Sequence, residues 1–325
     1  MHAPKKLKTG AGPSDFTWSG DDVYLTNYYD FIYDDVCPSG WASDPHCAET
    51  WQKALTAARD ASTGPNMKAI RNLRSLIWFQ TKNYITRTSR ADPTFLSEAQ
   101  TEVFKSSTTK RKYFGSRYVR VVEEDMLEVA RRLVQQGKTV AVLNMANAWI
   151  PGGGFRTGKG AQEENLHRRT DAFRFLEQQR ENYPIPEDAC LVSAEVTVLR
   201  GAEADGYPFL PPFRITLVSC AAVFKPKLTN MLDYAYGVDR RSMERKIAVI
   251  MNAVAQTGCD SVILSALGCG AFGNPPRIVA EIFKNEFKYT PVQNIIFSII
   301  DDHNAGRCHN PRGNFIPFTE TFRQV

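Results

Sequence analysis

The stretch VAVLNMANAWIPGGG, residues 140–154, decides the fold class of this 325-residue chain. It opens on a short apolar run, 140–143, which is typical of a strand buried on both faces of a sheet. Three consecutive glycines end it, and residues without a Cβ can take positive φ and let the backbone approach a ligand closely. Their N–H groups can also form a concave anion site. The stretch therefore predicts a buried strand that leads into a ligand-binding loop.

A pair of acids follows this loop. Seven residues separate Gly154 from Gln162-Glu163-Glu164, which opens a helical pattern. Acids in a first helical turn are stabilised by the helix dipole, which by itself explains them. Beside a glycine-rich loop, however, a carboxylate is well placed for proton transfer at a glycosidic bond. The amide of Asn147 can both donate and accept hydrogen bonds, which suits sugar hydroxyls.

A second glycine-rich segment, SALGCGAFGNPP, runs from 265 to 276 between a strand-like run and a helical pattern. Glycine-rich backbone before a helix N-terminus is suited to hold a diphosphate. The segment lacks the Lys-Ser/Thr ending of a P-loop and does not match G-x-G-x-x-G, which argues against both nucleotide motifs. Phe272 either stacks on a sugar or base, or anchors the loop in the core.

The rest of the chain alternates between the two kinds of secondary structure. This alternation predicts an α/β fold with a mixed or largely parallel sheet. Strand-like runs occur at 190–199, 214–222, 261–266 and 294–300, and helical patterns at 48–61, 66–86, 123–136, 162–180, 239–257 and 276–287.

Charge divides the chain into three regions. Residues 9–52 contain eight acids and no Lys or Arg, whereas 53–120 contain fourteen Lys or Arg and four acids. We expect an acidic, aromatic arm or lid at 1–50, a basic helical region at 51–120, and a catalytic domain at 121–325. The opposite charges predict that the arm folds over the basic region. A basic group there either meets a polyanion or is a solvated loop: Lys105, Lys110, Arg111, Lys112, Arg117 and Arg120.

Composition sets the remaining bounds. No apolar stretch is long enough to cross a bilayer, and the basic first ten residues precede no apolar segment, so we expect neither a membrane span nor a signal peptide. Seven cysteines without a C-x-x-C pair argue against a disulfide framework or a zinc ribbon. They favour an intracellular protein, cytoplasmic or nuclear. The net charge of +5 permits an anionic substrate.

Three motifs in this order resemble the microbial-type poly(ADP-ribose) glycohydrolases. They are Asn-x-x-Asn before the triple glycine, the triple glycine followed after seven residues by Gln-Glu-Glu, and Gly-Cys-Gly-Ala-Phe-Gly-Asn at 268–274. The resemblance covers about 120–325, and more loosely begins near residue 50. It implies a macrodomain-like mixed sheet flanked by helices, an N-terminal helical extension, and a glycosidase that needs no cofactor and no metal.

The resemblance also implies roles for single residues. Glu164 would be the general acid/base, with a pKa raised by a partly buried site, while Glu163 and Asn147 would contact the ribose that is released. Phe272 would lie against the ribose next to the cleaved bond, and Phe297 on the last strand would pack on the adenine side. The remaining residues expected to bind substrate are Gly152, Gly153, Gly154, Gln162, Gly268, Cys269, Gly270, Ala271 and Gly273.

Other functions remain open at this point. A macrodomain can bind ADP-ribose without cleaving it, although a simple reader does not need the acidic triplet. A mono-ADP-ribosyl hydrolase is a second alternative, and a metal hydrolase built on Asp301, Asp302, His303 and His309 is a third. We expect an ADP-ribose polymer or an ADP-ribosylated macromolecule as substrate, and a monomeric protein that requires neither a membrane nor direct nucleic-acid binding.

Overall fold

The computed structural model describes residues 48–60, 65–105, 112–113 and 115–323. The predicted acidic arm therefore lies outside the described residues, except for its last three positions. Lys110 and Arg111 of the predicted basic group lie outside them as well. Among the helices of the described ranges, none is both long and apolar enough to span a bilayer.

The described residues form a mixed seven-stranded sheet with the order β1-β4-β5-β3-β6-β7-β2. Strand β4 is antiparallel to both of its neighbours, and the strands from β5 to β2 in this order run parallel. This confirms the predicted α/β fold with a mixed sheet. The strands are β1 Thr101–Lys105, β2 Tyr118–Val122, β3 Val140–Met145, β4 Ala189–Arg200, β5 Phe209–Cys220, β6 Ser261–Leu264 and β7 Asn294–Ser298.

Helices cover both faces of the sheet. Central strand β3 is buried on both sides: Ala141 and Leu143 pack into one apolar cluster, and Val140 and Val142 into the other. The first cluster is completed by α6, α7 and α8, and the second by α3, α4 and α5. The helices are α1 Ala48–Arg59, α2 Met67–Ala91, α3 Met126–Gln135, α4 Gln162–Arg169, α5 Ala172–Leu176, α6 Gly237–Thr257, α7 Pro276–Glu286 and α8 Phe315–Phe322.

The two N-terminal helices pack against each other, and α2 lies against the segment that joins the triple glycine to the acidic triplet. Their apolar faces form a cluster of their own, which includes Leu55 and Ile77. At Gly158, where φ is +69°, a Cβ would stand 1.9 Å from the carbonyl oxygen of Arg71 on α2. Only a glycine permits this approach. Helix α2 therefore fixes the position of the connecting segment, and with it the position of α4.

Two details of the sequence interpretation change. The predicted helix at 162–180 is interrupted at Thr170, which is extended and pairs with Val198 of β4, so α4 and α5 are separate. Strands β1 and β2 come from the region that we expected to be helical and accessory, and they pair with β4 and β7. Residue 121 is therefore not a boundary of the sheet. These short strands form because they pair with β4 and β7, which are distant from them in the sequence.

Candidate active site

The parallel strands β5, β3, β6 and β7 bring their carboxyl ends to one edge of the sheet, which is the usual place for a ligand in such folds. A cavity of about 500 Å³ lies at this edge. Its wall takes one or more residues from the end of each strand: Ala146 after β3, Ala222 after β5, Ser265 and Ala266 after β6, and Ile299 after β7. Its volume is in the range of small-molecule sites.

Beside this cavity, the triple-glycine loop (residues 152–154) holds the two glutamates of α4. The N–H of Gly152 donates to Glu163 Oε1 at 3.1 Å, and the N–H of Gly154 donates to Glu164 Oε1 at 2.9 Å. The N–H of Gly153 donates to the carbonyl of Ile150. The expected anion site is therefore formed, but the anions that it holds are the protein's own carboxylates.

The glycines are needed because the carboxylates come so close. Gly152 and Gly153 have φ of +74° and +59°. A Cβ on Gly153 would stand 2.7 Å from Glu164 Oε1 and 3.1 Å from Glu163 Oε2. A Cβ on Gly152 would meet the rings of Phe155 and His167 at 2.6–2.7 Å. Both carboxylates thus face the same point of the backbone, and a side chain there would displace them.

Glu163 is buried and surrounded by donors. Its carboxylate accepts hydrogen bonds from the backbone N–H of Asn147 at 2.7 Å, from that of Gly152, and from Asn144 Nδ2 at 3.4 Å. The pKa of Glu163 is raised to about 8, chiefly by burial and also by the charge of Glu164, while the three donors act in the opposite direction. Such a group holds its proton near neutral pH.

Glu164 is in a different position. It is 7% exposed, and its Oε1 is held by the N–H of Gly154 alone. Among the described residues, no protein donor reaches its Oε2. One oxygen of Glu164 therefore has no donor from the described residues, whereas both oxygens of Glu163 accept hydrogen bonds from the protein. Neither glutamate is among the residues that line the cavity.

The buried His167 stabilises the position of Glu163 and of the residues that follow the triple-glycine loop. Its Nδ1 donates to the carbonyl of Glu163 at 2.9 Å, one turn earlier in α4, and its ring packs on Phe155 with centroids 4.8 Å apart. Burial lowers the pKa of His167 to about 4, so the imidazole is neutral. A neutral ring beneath the loop does not compete for the protons of the two glutamates.

Two predicted ligand-binding side chains are occupied by the backbone instead. The Oδ1 of Asn147 accepts the N–H groups of Trp149 and Ile150 at 2.9 and 3.0 Å, and Asn147 does not line the cavity. The amide of Gln162 spans the end of β3: its Oε1 accepts the N–H of Met145, and its Nε2 donates to the carbonyl of Leu143. Gln162 does line the cavity, and it ties α4 to the sheet.

The segment 265–274, here called the cavity loop, forms the opposite wall. Gly268, Gly270, Ala271 and Phe272 line the cavity as predicted, whereas Cys269 is completely buried and Gly273 is not on the wall. Within the part of the chain that the structure describes, no acceptor reaches the N–H groups of residues 270–272. These N–H groups have the chemistry to hold a diphosphate.

Asn274 anchors the cavity loop, a role that the sequence did not reveal. Its Oδ1 accepts the hydroxyl of Tyr234 at 2.9 Å, and its Nδ2 donates to the carbonyl oxygens of Val223 and Gly268 at 2.7 and 3.1 Å. The side chain is completely buried. One amide thus joins the loop to the segments that follow β5.

A charged wall completes the cavity, and none of its members was predicted from the sequence. Glu203 accepts three hydrogen bonds from Arg74 of α2. Burial raises the pKa of Glu203, but the hydrogen bonds and charge of Arg74, with further hydrogen bonding from Tyr207, bring it below its ordinary value. Asp125 accepts from the buried Arg169 at 2.7 Å. These pairs join residues 44 to 129 positions apart, so no local pattern could have indicated them.

Phe297 is not part of the site. It is completely buried and packs against Phe283, Phe318 and Phe322, with ring centroids 4.8–5.2 Å apart. Successive residues of a strand point to opposite faces, and Phe297 faces the cluster formed with α7 and α8. Our expectation that it packs against adenine was therefore wrong.

The segment proposed as an alternative metal site has other contacts. Asp301 accepts the N–H of Asn314 at 2.7 Å, and His309 Nε2 lies 2.9 Å from the carbonyl of Cys269. Within the described ranges, no three His, Cys, Asp or Glu side chains are grouped to hold a metal ion. Asp301 and His309 fasten the C-terminal loop and the cavity loop.

Comparisons with known proteins agree with this geometry. Residues 74–201 match the model of the microbial-type PARG catalytic domain. No curated protein matches the chain by sequence. The chain is similar to a solved structure of poly(ADP-ribose) glycohydrolase from Thermomonospora curvata, with 23% identity, a TM-score of 0.60, and an alignment that covers 78% of this chain and 100% of the other.

Two further solved structures are similar. The Thermomonospora curvata enzyme bound to the inhibitor ADP-HPD gives 25% identity and a TM-score of 0.57 over 78% of this chain and 100% of that chain. The Deinococcus radiodurans enzyme in complex with ADP-ribose gives 23% identity and a TM-score of 0.55 over 69% and 95%. The triple glycine and the acidic triplet both lie within the residues that the family model matches. Over residues 74–201 the chain therefore matches the catalytic domain of the microbial-type poly(ADP-ribose) glycohydrolases, which are enzymes of the glycosidase class.

Proposed function

We propose that this chain hydrolyses the ribose–ribose bonds of poly(ADP-ribose) and releases ADP-ribose, with Glu164 as the general acid/base. The observation that carries the proposal is the pair of carboxylates fastened to the triple-glycine loop. This pair follows Gln162 directly, and Gln162 lines the cavity. The cavity in turn offers free backbone N–H groups at 270–272 for a diphosphate.

The reaction needs one proton to be donated and later returned. Glu164 gives a proton to the bridging oxygen as the bond from that oxygen to the anomeric carbon breaks, and positive charge develops on the ribose ring. A water molecule then attacks the anomeric carbon and returns its proton to Glu164. The diphosphate of the same unit, held near the cavity loop, stabilises the developing cation. The Oε2 of Glu164, which no donor from the described residues reaches, suits this role.

Glu163 positions the sugar and keeps a proton within the pair. Its oxygens are held by Asn144, Asn147 and Gly152, so it cannot move toward a leaving group without breaking these hydrogen bonds. Because its pKa is raised to about 8, the two carboxyl groups together carry a proton at neutral pH. We propose that this proton is available to Glu164.

We also propose that the protein acts as a monomer inside the cell and needs no nucleic acid for activity. The five cysteines in the described residues are all unpaired, which supports a reducing compartment.

The experiment that tests the proposed function is product analysis. The protein is incubated separately with poly(ADP-ribose) and with a mono-ADP-ribosylated protein, and the products are identified by mass spectrometry. Free ADP-ribose from the polymer is the expected result. Release from the mono-modified protein alone would make the chain a mono-ADP-ribosyl hydrolase. Binding of both without release would make it a reader of ADP-ribose.

A further inference from the structure

An exposed aromatic side chain stands next to the cavity, on the segment that follows β5. Phe224 is 64% exposed. Its ring meets the ring of Phe272 edge to face, with centroids 5.0 Å apart and an interplanar angle of 89°. Phe272 itself lines the cavity. An exposed aromatic side chain beside a ligand site is a surface on which a base can stack.

Two lysines accompany exposed rings here. Lys225 Nζ lies 5.3 Å from the centroid of Phe224, and Lys227 Nζ lies 5.9 Å from that of Tyr236, which is 53% exposed. In the ranges that the structure describes, neither ammonium group is paired with a carboxylate. We call Phe224, Lys225, Lys227 and Tyr236 the aromatic–lysine rim. It combines exposed aromatic rings with ammonium groups that no carboxylate of the described residues neutralises.

The rim is held in a fixed position relative to the cavity. The N–H of Lys225 donates to the carbonyl of Phe272 at 2.8 Å, and the N–H of Ala235 donates to the carbonyl of Lys227 at 2.8 Å. Asn274 fastens both Val223 and Tyr234 to the cavity loop. A ligand that spans the rim and the cavity therefore meets two surfaces whose spacing is set by one buried amide.

We propose that the aromatic–lysine rim binds the second ADP-ribose unit of the polymer while the terminal unit occupies the cavity. The proposal rests on the proposed function. Each unit repeats an adenine base and a diphosphate. The base stacks on the exposed ring of Phe224, and the diphosphate lies against the ammonium groups of Lys225 and Lys227. A single ADP-ribose fills the cavity and leaves the rim empty.

The consequence is an affinity that depends on chain length. Stacking on an aromatic side chain contributes about 1–3 kcal/mol per base in single-stranded nucleic acids, which corresponds to a factor of roughly 5 to 150 in affinity. We therefore expect ADP-ribose oligomers to bind more tightly than ADP-ribose, by about tenfold. The gain should shrink as salt concentration rises, because it is partly electrostatic.

Binding measured in the Glu164→Gln background tests this without turnover. Fluorescence polarisation with labelled ADP-ribose, its dimer and longer oligomers gives the dissociation constants. Phe224→Ala is expected to weaken oligomer binding about tenfold and to leave ADP-ribose binding unchanged. The double variant Lys225→Gln/Lys227→Gln, whose side chains do not contact Phe272, is expected to weaken oligomer binding at low salt and to flatten its salt dependence.

A matched control is present elsewhere on the sheet. Tyr118 is 61% exposed, and the guanidinium of Arg120 lies 5.1 Å from its ring centroid. This aromatic–cation pair starts at the amino end of β2, whereas the cavity lies at the carboxyl ends of the parallel strands. Tyr118→Ala/Arg120→Gln removes the same chemistry from another surface. It is expected to leave the affinity for oligomers unchanged.

Three outcomes would overturn the proposal. Equal loss of affinity for ADP-ribose and oligomers in Phe224→Ala would mean that this residue only supports Phe272. If oligomers bind no more tightly than ADP-ribose, the rim does not bind a second ADP-ribose unit. Single-stranded DNA that competes with oligomers through the same rim residues would make the rim a nucleic-acid site. If neither ADP-ribose nor oligomers bind, the proposed function itself fails, which is a distinguishable result.

Discussion

The two glycine-rich loops of this protein use the same residue type for opposite purposes. In the triple-glycine loop, the missing Cβ makes room for the protein's own carboxylates, and the N–H groups of Gly152 and Gly154 bind them. In the cavity loop, the N–H groups of residues 270–272 point to no protein acceptor in the described chain, and a Cβ on Gly270 would make only ordinary contacts with Asn304. Glycine in the first loop organises the catalytic groups, and in the second it leaves room for the ligand.

The largest expected effect comes from a variant that removes the function of the triple-glycine loop and leaves the cavity loop unchanged. Glu164→Gln keeps the size of the side chain but cannot transfer a proton, so turnover of poly(ADP-ribose) should fall by roughly 10² or more. Because we propose that the cavity loop holds ADP-ribose, its affinity, measured by calorimetry, should stay near the wild-type value. Glu163→Gln should also harm turnover, with a clearer loss of affinity. Turnover near the wild-type rate in Glu164→Gln would refute the mechanism.

Gly153→Ala tests whether the first loop exists to accommodate the carboxylates. Its Cβ would stand 2.7 Å from Glu164 Oε1, so we expect kcat to fall about tenfold or more. Gly258→Ala is the matched control, because Gly258 has a similar φ of +69° and nothing within 4 Å of its Cβ position. Both variants should lose about 1 kcal/mol of unfolding free energy from the left-handed backbone. Equal kcat values in the two variants would contradict the assignment.

Gly270 probes the second loop without backbone strain. A Cβ there would be 3.8 Å from Asn304, which is ordinary contact, so the variants should fold. We expect the affinity for ADP-ribose to fall stepwise from glycine to Ala to Val, by about tenfold for Gly270→Val, because the added atoms occupy the approach to the backbone N–H groups. Calorimetry with ADP-ribose and with AMP measures this. In the wild type, equal affinity for the two ligands would rule out the proposed diphosphate site.

The pH dependence should separate the loops as well. The carboxyl pair loses its proton as the pH rises past about 8, so kcat should fall above that value. The cavity loop contains Cys269, whose pKa is raised well above its usual range by burial, so ADP-ribose affinity should not change there. A kcat that is constant from pH 7 to 9.5 would contradict this.

The same titration predicts a stability effect. The folded protein holds the Glu163 proton up to about pH 8, whereas an unfolded glutamate loses it near its ordinary value of 4.5. The folded state therefore binds the extra proton between these values, and the free energy of unfolding should decrease as the pH rises through this window. Thermal unfolding of the wild type and of Glu163→Gln across pH 4–9 measures it, with a flatter profile expected for the variant.

The smallest expected effect is that of chelation. Neither loop needs a metal ion for the chemistry proposed, so turnover should survive EDTA. Loss of activity that Zn²⁺ or Mg²⁺ restores would instead implicate the segment that contains Asp301 and His309.

Local patterns predicted the parts of this structure that depend on near neighbours. Apolar periodicity and strand-like runs indicated α1, α2, α3, β3 and the strands from β4 to β7, because a helix or a buried strand needs only its own spacing of apolar residues. The helix at 162–180 was predicted as one piece, since its break at Thr170 depends on pairing with Val198. Strands β1 and β2 were missed for the same reason.

The site shows the same division. The structure places the triple glycine beside Glu163 and Glu164, and four residues of the cavity loop on the cavity wall. That these residues bind or act on a substrate stays a prediction. Asn147 and Phe297 were assigned to the ligand by resemblance. In the structure, the side-chain oxygen of Asn147 accepts a backbone N–H of its own turn, and the ring of Phe297 faces the core. The anchoring role of Asn274 could not be predicted from the sequence, because its hydrogen-bond partners come from two separate segments.

The sequence alone therefore determined the α/β class, the two glycine-rich loops and the acidic pair, since each is written in residues that are close along the chain. Only the tertiary structure decided which oxygens of the pair are occupied, how the charged wall of Arg74, Glu203, Asp125 and Arg169 closes the cavity, and which aromatic rings reach the surface. These properties follow from contacts between distant segments, and burial and hydrogen-bond partners are fixed only when those segments pack together.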